Sequence, residues 1–239
     1  KDFCQMILFE NTLVTVISLS TPLIIAVIGE TISEKGGVIN LSAEGTIMIC
    51  ALFGFIGAYE TDFAVVGFLC AMVLGAGISF FISYCDINLR MDQIAVGFVL
   101  TILCINLSNF LGQDYVRING PLITKFSIPF LSDIPFFGSV LFNHSLITYL
   151  SIVLIPLSWL FLNKTSYGLA IRASGENPSS ASSRGINVKR MRLLSCVMGG
   201  SLLGLAGASF SLYTKYGWSE GHTTNYGWIV LAIVIFGGW

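Results

Sequence analysis

The stretch Arg172–Arg192 reads RASGENPSSASSRGINVKRMR. It holds five of the chain's twelve basic residues, Arg172, Arg184, Lys189, Arg190 and Arg192, between two long apolar runs. The whole chain has 239 residues, 54% of them hydrophobic and only 10% charged. A soluble domain of this size needs more charge to cover its surface. Here the polar residues cluster between apolar runs, as a bilayer requires. The fold class predicted is therefore all-α, a polytopic transmembrane helix bundle.

Working outward from that stretch, apolar runs long enough to cross hydrocarbon fall near 11–29, 42–59, 64–84, 94–112, 144–162 and 193–214. A seventh begins near 227 and is cut by the end of the chain at Trp239. The expectation is one transmembrane domain over 1–239, with spans missing beyond its C-terminal end. With alternating spans, loops 30–41, 85–93 and 163–192 share one side. They carry Lys35, Arg90, Lys164, Arg172, Arg184, Lys189, Arg190 and Arg192, eight in all. The opposite side has four: Lys1, Arg117, Lys125 and Lys215. The basic side faces the cytoplasm. The loop 113–143, with Pro121, Pro129, Pro135 and several aromatics, is then outside, where it reads as a short cap on the membrane surface.

The run 64–84 carries Gly67, Ala71, Gly75, Ser79 and Ser83 at intervals of four. These form a ridge without bulk that lets a neighbouring helix approach closely. Gly200, Gly204, Gly207 and Ala208 repeat the theme. Cys4, Cys50, Cys70, Cys85, Cys104 and Cys196 contain no CxxC pair and read as small apolar packers. His144 and His222 are far apart in sequence and read as loop or interface residues. No metal-ligand cluster, catalytic set or phosphate-binding loop can be assembled, so no cofactor and no enzyme chemistry is expected. A net charge of −1 gives no nucleic-acid signal.

Inside the chain, TISEKGGVINLSA (31–43) reads as a helix break followed by a fresh start. Glu30 and Glu44 flank it, near the cytoplasmic side in this topology. Asn40 or Ser42 could cap the new helix, with Glu44 in its first turn. The segment serves either as a capped turn or as part of a gate or pathway. Asn106 and Asn109, followed by Gln113, share a helix face. They serve either interhelical hydrogen bonds or a polar strip along a solute pathway. In the opening stretch, Asn177–Pro178 is a helix cap and first turn, and Gly185 is suited to a left-handed stop. The intervening helix of about two turns is too short to be stable alone and expects a partner.

That stretch, followed by GGSLLGLAGASFSL (199–212), resembles the cytoplasmic loop and next helix of ABC importer permeases of the branched-chain amino acid, ribose and simple-sugar group. EKGGVINLSAEGTIMICALFGF (34–55) resembles that group's other hallmark, and the form GENP is most similar to its nucleoside and simple-sugar branch. The resemblance implies a permease subunit in the bacterial cytoplasmic membrane, working by alternating access. It implies a homologous second permease subunit, cytoplasmic ATP-binding subunits and an extracytoplasmic solute-binding protein as partners, with lipid around it. It assigns coupling to the ATPase to Glu176, Asn177, Pro178, Ala181, Gly185 and Ile186, within a coupling loop over 163–192. Where the group has two alanines in mid-helix, the first is here Ser180. Substrates open to such a permease are nucleosides, ribose-like sugars and branched-chain amino acids. An ion-coupled secondary transporter is the competing class. It needs pathway charges, for which only Glu30 and Glu44 are candidates.

Overall fold

The computed structural model describes residues 2–116, 118, 120, 126, 127, 143–215 and 217–238. Nine α-helices are described: α1 (Asp2–Lys35), α2 (Ala43–Thr61), α3 (Ala64–Leu89), α4 (Gln93–Gly112), α5 (Leu146–Lys164), α6 (Ser166–Glu176), α7 (Pro178–Ser183), α8 (Val188–Ser209) and α9 (Tyr226–Gly237). A π-helical turn, Phe210–Thr214, extends α8. One small antiparallel pairing joins Phe126–Ser127 to Asn143–His144. Most of the predicted cap at 113–143 lies outside the described residues.

Six segments are long and apolar enough to cross a membrane: Leu8–Lys35, Ala43–Thr61, Ala64–Leu89, Gln93–Tyr115, Leu146–Lys164 and Val188–Thr214. They match the six complete runs read from the sequence. The seventh run forms α9, a shorter apolar helix of 12 residues. Several helices are longer than hydropathy alone predicts. α1 continues to Lys35 instead of stopping near 29, and α8 starts at Val188 instead of 193. Polar residues at these ends are carried on helical turns that hydropathy counts as loop.

Burial sorts the helices into centre and rim. The most apolar window is 72% buried in α2 and 67% in α8, against 22–28% in the other four. The rim helices turn large apolar side chains outward, among them Val65, Leu69 and Val73 on α3 and Phe98 and Phe110 on α4. Such a surface suits lipid, whose tails are as apolar as these side chains.

Small residues make the centre possible. α8 packs on α1, α2 and α3 together. A Cβ at Gly199 would lie 2.4 Å from the Gly29 carbonyl oxygen of α1. At Gly200 it would lie 2.5 Å from the Gly75 carbonyl oxygen, and at Gly204 2.1 Å from that of Ala71, both on α3. At Gly207 it would lie 2.6 Å from the Ile47 carbonyl oxygen of α2. These obstacles are backbone, so they cannot swing away. The ridge read from the sequence, Gly67, Ala71, Gly75, Ser79 and Ser83, is buried along α3.

Gly204→Ala and Gly77→Ala make the same chemical change in different surroundings. Gly204 meets backbone, whereas nothing lies within 4 Å of a Cβ at Gly77. Thermal unfolding in detergent should show Gly204→Ala destabilised by about 3 kcal/mol from overpacking. Gly77→Ala should be unchanged or more stable, by up to about 1 kcal/mol.

Candidate functional site: an interior joint and an exposed short helix

The break between α1 and α2 is built by Gly37, which takes φ +85°. A Cβ there would also press within 3.1 Å of the Gly175 Cα. Arg192 lies against the same glycine. Loops 30–41 and 163–192 therefore meet at one end of the bundle, as the sequence topology requires.

From Gly37 the chain turns back into the interior before α2 begins. Thr101 Oγ1, in the middle of α4, donates to the Leu41 carbonyl at 2.8 Å. A Cβ on Gly45 would collide with Thr101 and Cys104. The start of α2 thus lies beside mid-α4, not at a membrane edge. Glu30 is deep as well: it follows Gly29, which packs on Gly199 halfway along α8. Both glutamates are buried inside the bundle, Glu30 0% and Glu44 2% exposed. The cause is the extra length of α1 and the return of residues 38–42.

Asn40 is completely buried and holds this return in place. Its backbone N–H donates to Glu30 Oε1 at 3.1 Å, and its Nδ2 donates to Ser79 Oγ of α3 at 3.3 Å. Its Oδ1 accepts from the Ser42 N–H at 3.2 Å and from Ser42 Oγ at 2.7 Å. Neither of the two cap candidates, Asn40 and Ser42, caps α2 with its side chain: Asn40 Oδ1 takes the N–H of Ser42 itself, in the turn before the helix, and the Ser42 side chain makes no cap bond to the helix backbone.

Glu44 reaches elsewhere. It is 2% exposed, and each carboxyl oxygen accepts one backbone N–H from the start of α9. Asn225 N–H donates to Oε1 at 2.6 Å and Gly227 N–H donates to Oε2 at 2.7 Å. These are N–H groups that a helix start leaves without intrahelical partners. Glu44 thus caps a helix more than 180 residues away in sequence. Asn225 adopts φ +71°, and a Cβ at Gly227 would lie 2.3 Å from Glu44 Cα. The starts of α2 and α9 abut, and only glycine fits at the contact.

The second feature is α7. Asn177 Oδ1 accepts from the Ser180 N–H at 3.1 Å and from Ser179 Oγ at 2.8 Å, and Pro178 occupies the first turn. The stop is as the residues predict: Gly185 has φ +84° and its N–H donates to the Ser182 carbonyl. Ile186 N–H donates to the Ala181 carbonyl. Pro178, Ser179, Ser182 and Gly185 are exposed, as are Glu176 and Asn177, and Ile186 is half-buried. Ala181 is buried and faces its own chain. Arg172 on α6 braces the approach, donating to Asn163 Oδ1 at 2.6 Å and pairing with Glu176 at 3.5 Å.

Asn106 and Asn109 lie on α4, whose buried positions are Gly97, Thr101, Cys104, Ser108 and Gly112. Asn106 is exposed and Asn109 half-buried. Asn106 Nδ2 donates within its own helix, to the Ile102 carbonyl at 2.8 Å.

The segment between α8 and α9 was read only as a loop. It is packed inward. Trp218 is 2% exposed and lies over Gly112 of α4. His144 and His222, read as loop or interface residues, are both buried. His222 Nδ1 lies 2.8 Å from the Ser219 carbonyl. Burial holds its imidazole below the ordinary value, while the Ser219 carbonyl acts in the opposite direction and Lys215 adds to the lowering. Desolvation likewise lowers Lys215, whose Nζ donates to the His222 carbonyl.

Residues 12–239 match the profile of the family described as branched-chain amino acid transport system / permease component. TsgC13 of Haloferax volcanii, named as a glucose ABC transporter permease, is 35% identical over 92% of this chain and 68% of its own length. The nucleoside ABC transporter permease NupC of Lactococcus lactis is 34% identical over 92% of this chain and 73% of its own. The guanosine ABC transporter permease NupQ of Bacillus subtilis is 33% identical over the same shares. No solved structure matches the chain. The match over most of the chain and its six membrane-crossing helices lead to one conclusion: the chain belongs to the branched-chain amino acid transport system / permease component family, and is a multi-pass permease subunit of an ABC transporter in the bacterial inner membrane, not an enzyme.

Proposed function

We propose that the chain imports nucleosides, or simple sugars related to them, across the cytoplasmic membrane by alternating access. The observation that carries the substrate reading is the similarity to NupC and NupQ over 92% of the chain. The similarity to TsgC13 supports a hexose as the second reading. Uptake of labelled guanosine and glucose by cells carrying the complete transporter tests the choice. Saturable guanosine uptake supports the first reading; uptake of glucose alone favours the second.

The transporter is proposed to contain a homologous second permease, ATP-binding subunits on the cytoplasmic side and an extracytoplasmic solute-binding protein. Within the single transmembrane domain, the loop 163–192 carries α7 to the ATPase as its coupling helix. Such a helix has six residues and a single capping side chain, Asn177, so little of its stability is internal. Pro178, Ser179, Ser182 and Gly185 offer a small-residue face that a groove can receive. Glu176 and Asn177 lead into that face and Ile186 closes it. Ala181 acts from behind, by seating the helix on its own chain.

In the pathway, Asn106 and Asn109 are the solute-facing pair. An exposed asparagine on an otherwise apolar helix is poorly matched to lipid, and its amide can both donate to and accept from hydroxyls and base edges. Asn40 and Glu44 have almost no exposed surface. Their part in the pathway is to hold its wall rather than to touch the solute.

Two substitutions test these roles. Ser182→Arg, on the exposed face of α7, should lower uptake and solute-stimulated ATP hydrolysis by about tenfold, with the subunit still in the membrane. Unaltered rates contradict the coupling role. Asn106→Leu with Asn109→Leu should raise the KM for uptake while the purified complex keeps its subunits. Loss of subunits instead makes the pair an assembly contact.

A further inference from the structure

A buried polar atom without a hydrogen bond costs about 1–3 kcal/mol, so each such atom needs a reason. Three fall within six residues of the α8–α9 segment: Trp218 Nε1, His222 Nε2 and Thr223 Oγ1. The three residues are 2%, 7% and 0% exposed. The Trp218 and His222 rings meet edge to face with centroids 6.4 Å apart, and Thr223 is the next residue in the chain.

The segment that carries them is fixed at three points. Trp218 bridges to Val116 at one end, and its ring lies on Gly112. Lys215 holds the His222 carbonyl in the middle. At the other end Glu44 holds the N–H groups of Asn225 and Gly227. A segment this well anchored had every opportunity to satisfy its own side chains, yet leaves these three open.

Their chemistry is complementary. The Trp218 indole N–H can only donate. His222 Nδ1 lies 2.8 Å from the Ser219 carbonyl, a contact that needs the proton on Nδ1, and in that tautomer Nε2 carries a free lone pair and accepts. Thr223 Oγ1 does both. A donor, an acceptor and a hydroxyl beside an aromatic ring fit a solute that bears hydroxyl groups on a ring.

We propose that Trp218, His222 and Thr223 form a solute-binding subsite, whose ligand is a polyhydroxylated ring such as the ribose of a nucleoside or a free sugar. This rests on the substrate reading above and adds the residues that recognise it. The groups are covered in the present conformation, and the alternating access proposed above is the change that opens them to the solute.

Three variants test the subsite: Trp218→Phe, His222→Phe and Thr223→Val. Each removes the free polar group; Thr223→Val keeps the bulk, Trp218→Phe leaves a smaller ring, and His222→Phe also gives up the Nδ1 contact with Ser219. Uptake of guanosine, 2′-deoxyguanosine and glucose is measured for the complete transporter. For the solute that the wild type imports, each variant should raise KM about tenfold, the value of one hydrogen bond. Subunit content should stay unchanged in all three, and the melting temperature of Thr223→Val should stay unchanged or improve. If guanosine is imported, at least one variant should discriminate less between guanosine and its 2′-deoxy form. Wild-type uptake of glucose without guanosine overturns only the nucleoside reading, and the variants are then judged on glucose. Unchanged KM in all three overturns the subsite, as does loss of assembly in all three.

Discussion

The Glu44 carboxyl joins the starts of two helices in the interior of the bundle. A helix start leaves N–H groups without partners, and in a water-poor interior each one is costly. At a membrane edge, water or lipid headgroups supply the missing acceptors. The starts of α2 and α9 lie beside the middle of other helices and have no such recourse. Glu44 gives both of its oxygens to α9, and Asn40 with Ser42 orders the start of α2. Close packing depends on the same arrangement. Gly227 can touch the Glu44 backbone only because the hydrogen bonds draw the two ends together, and Gly45 seats the start of α2 on α4.

This joint links the regions proposed to carry function. Asn40 connects the start of α2 to Glu30 of α1 and Ser79 of α3. The same α1 end meets Gly175 and Arg192, which frame the loop bearing α7. On the far side, Asn225 is the last residue before α9 and ends the segment with Trp218, His222 and Thr223. Packed contacts run from α7 through α6, the α1 end and the joint to that segment, the route open to the coupling proposed above. Its links are close backbone contacts and buried hydrogen bonds.

Much of the fold was legible in the sequence because its causes are local. Hydropathy located the six spans, the four-residue interval exposed the small ridge on α3, and Gly36–Gly37 marked the break. Asn177, Pro178 and Gly185 described α7 down to its caps, since each bond of that helix spans a few residues. What was not legible depends on distant pairing. Glu44 was read as a first-turn acid of its own helix, and its partners at Asn225 and Gly227 leave no trace in the local pattern. Hydropathy cannot tell a helix that starts at an edge from one that starts inside, so the burial of Glu30 and Glu44 was not legible. Ala181 was grouped with the docking residues by motif, although burial turns it inward. His222 was read as a loop or interface residue and Trp218 was not singled out, because their burial comes from the return of the segment onto α4.

The most direct test of the joint is amide hydrogen exchange at Asn225 and Gly227 in the purified transporter, compared between the wild type and Glu44→Ala. If Glu44 holds the start of α9, these amides exchange slowly in the wild type. The variant should then speed them by tenfold or more, about 1.4 kcal/mol of lost protection, while the α3–α8 contact stays protected. Equal exchange in the two proteins would contradict the account.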